Sequence, residues 1–239
     1  MKLLISVTDE KETSEALKGS NDVIIDIKNP KEGSLGANFP HVITKIKKVI
    51  PKGVEFSAAI GDIPNMPGTA SMAALGAATC GANYVKVGLK GPKTKEEAVY
   101  LMKNVVRTIK EFDKSVKVVV AGYADYKRAQ TLDPLVMPEV AYEAGADVVM
   151  LDTAIKDGKK LLDFLEFSYL KSFVEKAHEM NLMAAFAGSL GKDDIEKIYK
   201  TGADVFGVRG AVCSKFNREG RLESELVRSL AKEVAKMKG

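Results

Sequence analysis

Charged residues end several stretches of this chain that otherwise have the apolar character of buried strands. Two carboxylates and two amines lie at or near these ends: Asp26, Lys28, Lys86 and Asp152. Burying a charge costs free energy unless the charge pairs with another or takes part in chemistry. Lysines held close together lower one another's pKa, which frees an amine to attack a carbonyl carbon. The pattern therefore predicts Schiff-base chemistry.

The spacing of these residues predicts that they face one cavity. Residues two apart on a strand point to the same side, so Asp26 and Lys28 share a face, although an ordinary salt bridge at a strand end would also explain that pair. Val85 and Val87 must face helices, which turns Lys86 inward, and the same alternation turns Asp152 inward. For Lys156, four residues further on, two readings stay open: it reaches back into the cavity, or it is a solvated loop lysine.

Eight short apolar stretches alternate with helical ones, which predicts a single TIM-barrel domain of class α/β over residues 1–239. The predicted strands are Leu3–Val7, Val23–Lys28, Glu55–Gly61, Tyr84–Leu89, Lys117–Ala121, Val148–Asp152, Met183–Gly188 and Val205–Arg209. Helical spacing of apolar residues marks Lys95–Phe112, and a last helix spans Glu223–Met237. The alternative, an open doubly wound sheet, usually carries a Gly-x-Gly-x-x-Gly turn after the first strand, where this chain has Thr8-Asp9-Glu10.

A phosphate site is predicted at the ends of the last two strands. Backbone N–H groups after strands seven and eight of such barrels often bind phosphate, assisted here by a hydroxyl and a guanidinium. The candidate residues are Gly188, Ser189, Gly207, Arg209 and Gly210. Glycines that only permit tight turns are the plainer explanation of the same pattern.

Composition argues against several other classes of function. A net charge of +4, 7% aromatic residues and no basic-aromatic interleaving give little support to nucleic-acid binding. No apolar run approaches the ~20 residues needed to span a bilayer, and the N-terminus does not resemble a signal peptide. Cys80 and Cys213 stand apart, as expected of a reduced, cytoplasmic protein, and Cys213 is expected to be structural. His41, expected in a loop, and His178, in a helix, lack metal-ligand spacing.

Four segments together are similar to the (5-formylfuran-3-yl)methyl phosphate synthase family of methanofuran biosynthesis in methanogenic archaea. These segments are residues 26–37 (Asp-Ile-Lys-Asn-Pro-Lys-Glu-Gly-Ser-Leu-Gly-Ala), 84–88, 151–159 and 207–211. The resemblance covers essentially the whole chain, and its first block is highly specific. It implies a TIM-barrel lyase that condenses two molecules of glyceraldehyde 3-phosphate into a furan aldehyde with a phosphomethyl arm, losing phosphate and water.

The same resemblance implies roles for individual residues. Lys28 becomes the Schiff-base lysine and Lys86 the proton acceptor, with Asp26, Asp152 and Lys156 supporting them. No metal or organic cofactor is implied, and the partner is a small phosphorylated substrate. Because barrels commonly associate through their outer helices, a homo-oligomer is expected, although no sequence stripe identifies the contact patch.

Two other functions fit the residues without the resemblance. A simpler class I aldolase would use the same imine and phosphate site but stop at the aldol product. A non-catalytic phosphosugar-binding barrel would use its charges only to hold ligand, but it would not need several inward-facing amines.

Overall fold

Eight parallel strands, hydrogen-bonded in chain order, close into a barrel through the pairing of the last strand with the first. The structure is a computed structural model that describes residues 1–237. The strands are β1 Lys2–Val7, β2 Val23–Ile27, β3 Glu55–Ile63, β4 Tyr84–Leu89, β5 Lys117–Tyr123, β6 Val148–Asp152, β7 Met183–Phe186 and β8 Val205–Val208. The predicted TIM barrel is confirmed, and the open-sheet alternative is wrong because the sheet has no free edge.

Helices cover the outside of the barrel. They are α1 Glu10–Gly19, α2 Pro40–Val49, α3 Pro67–Thr79, α4 Lys95–Phe112, α5 Tyr126–Ala129, α6 Met137–Ala144, α7 Leu161–Phe164, α8 Phe167–Glu179, α9 Ile195–Tyr199 and α10 Ser224–Lys236. Helix α4 has the predicted bounds because the Thr94 side chain caps its first turn and its apolar residues repeat at helical spacing. His41 lies in α2 rather than in a loop, so that expectation was wrong.

Alternation along the strands separates two apolar layers. One layer packs between the strands and the helices and includes Val85, Val87 and Leu151. The other fills the barrel interior and includes Ile24 and Met150. Since Asp26 follows Ile24 by two residues and Asp152 follows Met150 by two, both carboxylates point into the barrel, as predicted. No helix within residues 1–237 is both long and apolar enough to cross a membrane.

Strands β3, β5 and β7 each end two residues away from the predicted position, and at β3 and β7 the backbone is irregular. β3 continues to Ile63 through a register shift between Ala59 and Asp62, where Gly61 has a φ of 128°. β7 stops at Phe186, because Gly188 has a φ of 104° and leaves the extended conformation. These departures lie at the carboxyl ends of the strands, the face on which barrel enzymes build their sites.

Candidate active site

A cavity of ≈ 860 Å³ opens at the carboxyl ends of the strands, lined mainly by residues that end or follow β2, β6, β7 and β8. Eight predicted site residues line it: Lys28, Asp152, Lys156, Gly188, Ser189, Gly207, Arg209 and Gly210. The other two, Asp26 and Lys86, do not contribute to its lining and are almost completely buried, with exposures of 0% and 1%. The structure thus gathers the predicted residues at one end of the barrel, in two layers.

The deeper layer is an ion pair between β4 and β2. The Lys86 Nζ atom donates to both oxygens of Asp26, at 2.7 and 2.8 Å, and the Ser6 hydroxyl donates to Asp26 Oδ2 at 3.0 Å. Ser6 and Asp26 are register partners on β1 and β2, so the barrel itself sets this contact. A buried charge pair with these hydrogen bonds is costly to break from one side only, because the remaining charge stays buried.

The upper layer centres on Asp152 at the end of β6. Lys156 Nζ donates to Asp152 Oδ1 and, at 3.0 Å, to Thr153 Oγ1, while the Thr153 N–H donates to the same carboxylate oxygen at 2.7 Å. Lys28 Nζ lies 3.9 Å from Asp152 Oδ2, an oxygen that is buried and has no hydrogen-bond partner among the described residues. Lys156 therefore reaches back into the cavity, and Asp152 keeps one oxygen directed toward Lys28.

Electrostatics distinguish Lys28 and Asp152. Burial is the largest influence on Lys28 and lowers the pKa of its amine to about 8. The Asp152 carboxylate opposes this shift, whereas the Lys86 and Lys156 ammonium groups reinforce it. Burial alone would raise the pKa of Asp152, but Lys156 and Lys28 outweigh it and hold that pKa well below its ordinary value. At pH 7 about one Lys28 amine in ten would be neutral, against roughly one in 3,000 at a lysine's ordinary pKa. Mutual depression by neighbouring lysines contributes as predicted, although burial contributes more.

The Lys28 amine is expected to titrate near pH 8. Reductive methylation with a ¹³C label, followed by an NMR titration, should give a Lys28 methyl signal with a midpoint of about 8, while in the urea-unfolded chain the same signal moves to the ordinary lysine range. Because the unfolded chain then binds more protons at this site between pH 8 and 10.5, this group makes the free energy of unfolding rise with pH in that window. A midpoint above 10 in the folded protein would contradict this assignment.

A buried carboxylate fixes the loop that carries Lys156. Asp125 accepts hydrogen bonds from the N–H groups of Ala154, at 2.7 Å, and Ile155, at 3.0 Å. Both donors come directly before Lys156, so Asp125 sets the direction in which that side chain leaves the backbone. Asp125 could not be predicted from sequence, since nothing in the spacing indicates that it bonds to a loop 29 residues away.

The guanidinium of Arg209 is bound within the protein rather than free for phosphate. Its Nη1 and Nη2 atoms donate to the two oxygens of the buried Glu12, at 2.9 and 3.2 Å, and Nη1 also donates to the Ser6 carbonyl at 3.1 Å. Its Nε donates to the Arg218 carbonyl at 2.8 Å. The predicted bidentate contact of Arg209 with phosphate would require its guanidinium to give up Glu12.

The glycine-rich strand ends bring the backbone to the cavity wall. Gly188 and Ser189 have φ values of 104° and 55°, so two successive residues turn the chain after β7. A Cβ on Gly207 would lie 3.1 Å from the Ala187 Cβ atom, which explains a small residue inside β8. These backbone positions are consistent with the predicted phosphate site.

Two residues that the sequence analysis did not identify close the barrel mouth on the β3–β5 side. Asp62 accepts hydrogen bonds from the N–H groups of Ser34, at 2.9 Å, and Leu35, at 3.3 Å, and from the Tyr123 hydroxyl. Burial is the main reason that the pKa of Tyr123 lies well above its ordinary value. Leu35 is fully buried with the barrel-interior residues, so the loop after Lys28 packs onto the mouth. Gly88 makes room for this contact, since a Cβ there would lie 2.3 Å from the Tyr123 hydroxyl.

Other sequence candidates have structural surroundings. Cys213 is completely buried, and burial raises the pKa of its thiol, which agrees with the structural role expected of it. His178 lies on α8 with its Nε2 atom 2.9 Å from Asp204 Oδ2. Within residues 1–237, no three histidine, cysteine, aspartate or glutamate side chains are grouped so that they could hold a metal ion.

Solved structures that resemble this one are barrel enzymes. The 3-hexulose-6-phosphate synthase of Salmonella typhimurium matches with a TM-score of 0.69 and 21% identity, covering 99% of this chain and 100% of that one. The phosphoribosyl anthranilate isomerase of Thermus thermophilus matches with a TM-score of 0.62 and 15% identity, covering 99% and 100%. At these identities the likeness establishes the fold alone.

Sequence relatives are much closer. The chain is 52% identical over 237 residues to the (5-formylfuran-3-yl)methyl phosphate synthase of Methanocaldococcus jannaschii, covering 99% of this chain and 100% of the relative. It is 50% identical over 235 residues to the protein of the same name from Methanopyrus kandleri, covering 98% and 99%. A sequence model of the family described as 4-HFC-P synthase matches residues 3–231. The chain therefore belongs to the 4-HFC-P synthase family, whose relatives carry the name (5-formylfuran-3-yl)methyl phosphate synthase.

Proposed function

We propose that the protein is a Schiff-base-forming carbon–oxygen lyase that makes (5-formylfuran-3-yl)methyl phosphate for methanofuran biosynthesis. It joins two molecules of glyceraldehyde 3-phosphate, and the atom balance requires the loss of one phosphate and two waters. The observation that carries this proposal is the buried Lys28 amine, whose pKa is about 8, beside Asp152 in a cavity of ≈ 860 Å³. Membership of the family supports this reaction, and the buried amine supports Lys28 as its nucleophile.

Lys28 is the residue that forms the imine. A neutral amine attacks an aldehyde to give a carbinolamine, which loses water to form the protonated imine. The positive nitrogen then acidifies the adjacent C–H bond, so that its loss gives an enamine. The enamine forms the carbon–carbon bond with the second triose phosphate. Phosphate elimination, ring closure and dehydration make the ring aromatic, and hydrolysis of the imine releases the aldehyde and returns the Lys28 amine.

Asp152 and Lys156 move protons around the imine. The unpartnered Oδ2 atom of Asp152 is the carboxylate oxygen nearest the Lys28 amine, at 3.9 Å. It can accept a proton from the attacking amine and return it to the departing water, while Lys156 keeps the carboxylate ionised through its contact with Oδ1. Both residues lie on the cavity wall, within reach of a bound substrate.

Lys86 is proposed to accept the substrate proton with the help of Asp26. The buried ion pair supports a linked transfer, because Lys86 already donates to both oxygens of Asp26 and can release a proton to that carboxylate before taking one from substrate. Lys86 also lowers the pKa of Lys28, so this buried lysine makes the nucleophile more often neutral even before substrate binds. Mutation of the pair can separate these two contributions.

The retained phosphate is proposed to bind at the ends of β7 and β8. Gly188, Ser189 and Gly210 line the cavity there, together with Lys28 at the end of β2. Backbone N–H groups in tight turns form concave anion sites, and they would hold the phosphate without a full charge of their own.

Incubation of the protein with glyceraldehyde 3-phosphate alone tests the reaction. We expect a growing ultraviolet absorbance of a furan aldehyde, with inorganic phosphate released in equal amount to the furan. The Lys28→Met variant, handled identically, is the control for spontaneous breakdown of the triose phosphate.

Each outcome decides between functions. Furan and phosphate in a ratio of one to one support the synthase. Consumption of triose phosphate into an aldol product without the chromophore would overturn the synthase in favour of the class I aldolase. Binding of the substrate without either product would favour the non-catalytic barrel.

A further inference from the structure

Six cationic side chains line the cavity, and five of them have a carboxylate partner. The pairs are Lys28 with Asp152, Lys156 with Asp152, Lys160 with Asp194, Lys192 with Glu233 and Arg209 with Glu12. The sixth, Arg218, has no ion-pair or hydrogen-bond partner for its guanidinium within residues 1–237. Its backbone carbonyl, in contrast, is bonded to Arg209.

Arg218 lies beside the predicted phosphate site and lines the same cavity. A Cβ added to Gly210 would lie 3.8 Å from Arg218 Cβ, so the side chain leaves the backbone directly beside the end of β8. Arg218 is partly buried, and burial lowers the pKa of its guanidinium, with Asp152 opposing that shift and Arg209 adding to it. A half-buried guanidinium with no carboxylate in direct contact is costly, and an anionic ligand would relieve that cost.

The segment that carries Arg218 is held in a specific conformation. Lys215 and Phe216 both have positive φ, at 55° and 53°, a backbone state that side-chain-bearing residues adopt when surrounding contacts determine it. One such contact is the hydrogen bond from Arg209 Nε to the Arg218 carbonyl, at 2.8 Å. Because Arg209 is itself bound to the buried Glu12, a buried charge pair positions the segment.

We propose that Arg218 is the guanidinium that binds the substrate phosphate, and that Arg209 is a positioning residue that holds Arg218 in place. The inference rests on the proposed function, since it identifies the group that recognises the phosphate of the triose phosphate. Arg218 and the N–H groups at the end of β8 would contact the same phosphate from two sides. Phosphate binding, which the sequence pattern predicted for the Arg209 side chain, is thus assigned to Arg218, nine positions later.

The Arg218→Gln variant separates phosphate recognition from imine chemistry. We expect kcat/KM for glyceraldehyde 3-phosphate to fall by about 30- to 1,000-fold, mostly through KM, because a desolvated charge pair with phosphate is lost. Inhibition by inorganic phosphate should weaken in parallel. Borohydride trapping of unphosphorylated D-glyceraldehyde on Lys28, which needs no phosphate contact, should stay within about twofold of the original rate.

A neighbouring arginine provides the matched control. Arg221 is exposed, pairs with Asp9 outside the cavity and lies in the same segment, so Arg221→Gln should leave KM and phosphate inhibition unchanged. Unaltered KM and phosphate inhibition in Arg218→Gln, with native thermal unfolding, would overturn the proposal. Binding of inorganic phosphate measured by calorimetry tests Arg218 even if the protein makes no furan: loss of binding in Arg218→Gln but not in Arg221→Gln supports it, and equal binding in both refutes it.

Discussion

Replacing Lys28 by methionine is expected to lower turnover by about 10⁴-fold or more, since no other residue then supplies the imine nitrogen. The side chain stays unbranched but loses the amine and becomes one atom shorter. We also expect the free energy of unfolding to stay the same or to increase at pH 7, because a buried amine is removed while Asp152 keeps its contact with Lys156. The measurements are furan formation and chemical unfolding of the same preparation.

Two further variants control this result. Lys28→Arg keeps a positive charge near Asp152 but cannot form an imine, so it should be as inactive as Lys28→Met. Lys90→Ala changes an exposed lysine that follows β4 and lies outside the cavity lining, and it should retain full activity. Substantial turnover by Lys28→Arg would mean that the charge of Lys28, and not its nucleophilicity, is what the reaction needs.

Lys86→Met is expected to destabilise the fold more than Lys28→Met does. It leaves the Asp26 carboxylate completely buried with the Ser6 hydroxyl as its remaining side-chain donor, which should cost about 3–5 kcal/mol of unfolding free energy. It should also raise the pKa of Lys28, because a neighbouring cation is lost and an unpaired anion is left. Urea unfolding and the NMR titration of Lys28 measure these two effects.

A double variant separates the structural role of Lys86 from its chemistry. Asp26→Asn with Lys86→Gln replaces the ion pair by a neutral amide pair, so it should recover most of the lost stability and return the Lys28 midpoint toward 8. If Lys86 accepts the substrate proton, turnover should still be lower by about 10²- to 10⁴-fold. Recovery of turnover together with stability would show that the pair only shapes the site.

Alternation along strands was enough to predict the deeper layer of the site. Lys86 lies between Val85 and Val87, and two strand neighbours that must face the helices leave one direction for the residue between them. Asp26 and Asp152 point into the barrel, as predicted, because they follow the interior residues Ile24 and Met150 by two positions. Periodic spacing likewise gave the bounds of β4, β6 and α4 without error. As long as a strand stays regular, its side chains alternate between the barrel interior and the helices, so the side that each residue faces can be predicted from its position in the strand.

The parts that could not be predicted depend on contacts between distant segments. Glu12 bonds to a guanidinium 197 residues later, and no local pattern indicates that this pair exists. The register shift in β3 ends at Asp62, which accepts a hydrogen bond from Tyr123 on β5, a contact that depends on the pairing of both strands with β4. Lys156 stayed ambiguous in sequence because four-residue spacing beyond a strand end does not fix a loop; Asp125 does so by binding the loop backbone.

Peptide mapping after borohydride reduction tests the central claim most directly. The protein is incubated with glyceraldehyde 3-phosphate, reduced, digested and analysed by mass spectrometry. A triose phosphate adduct on the peptide that contains Lys28, absent in Lys28→Met, is the result that this account predicts. An adduct on Lys86 or Lys156 instead, or turnover with no adduct on any lysine, would contradict it.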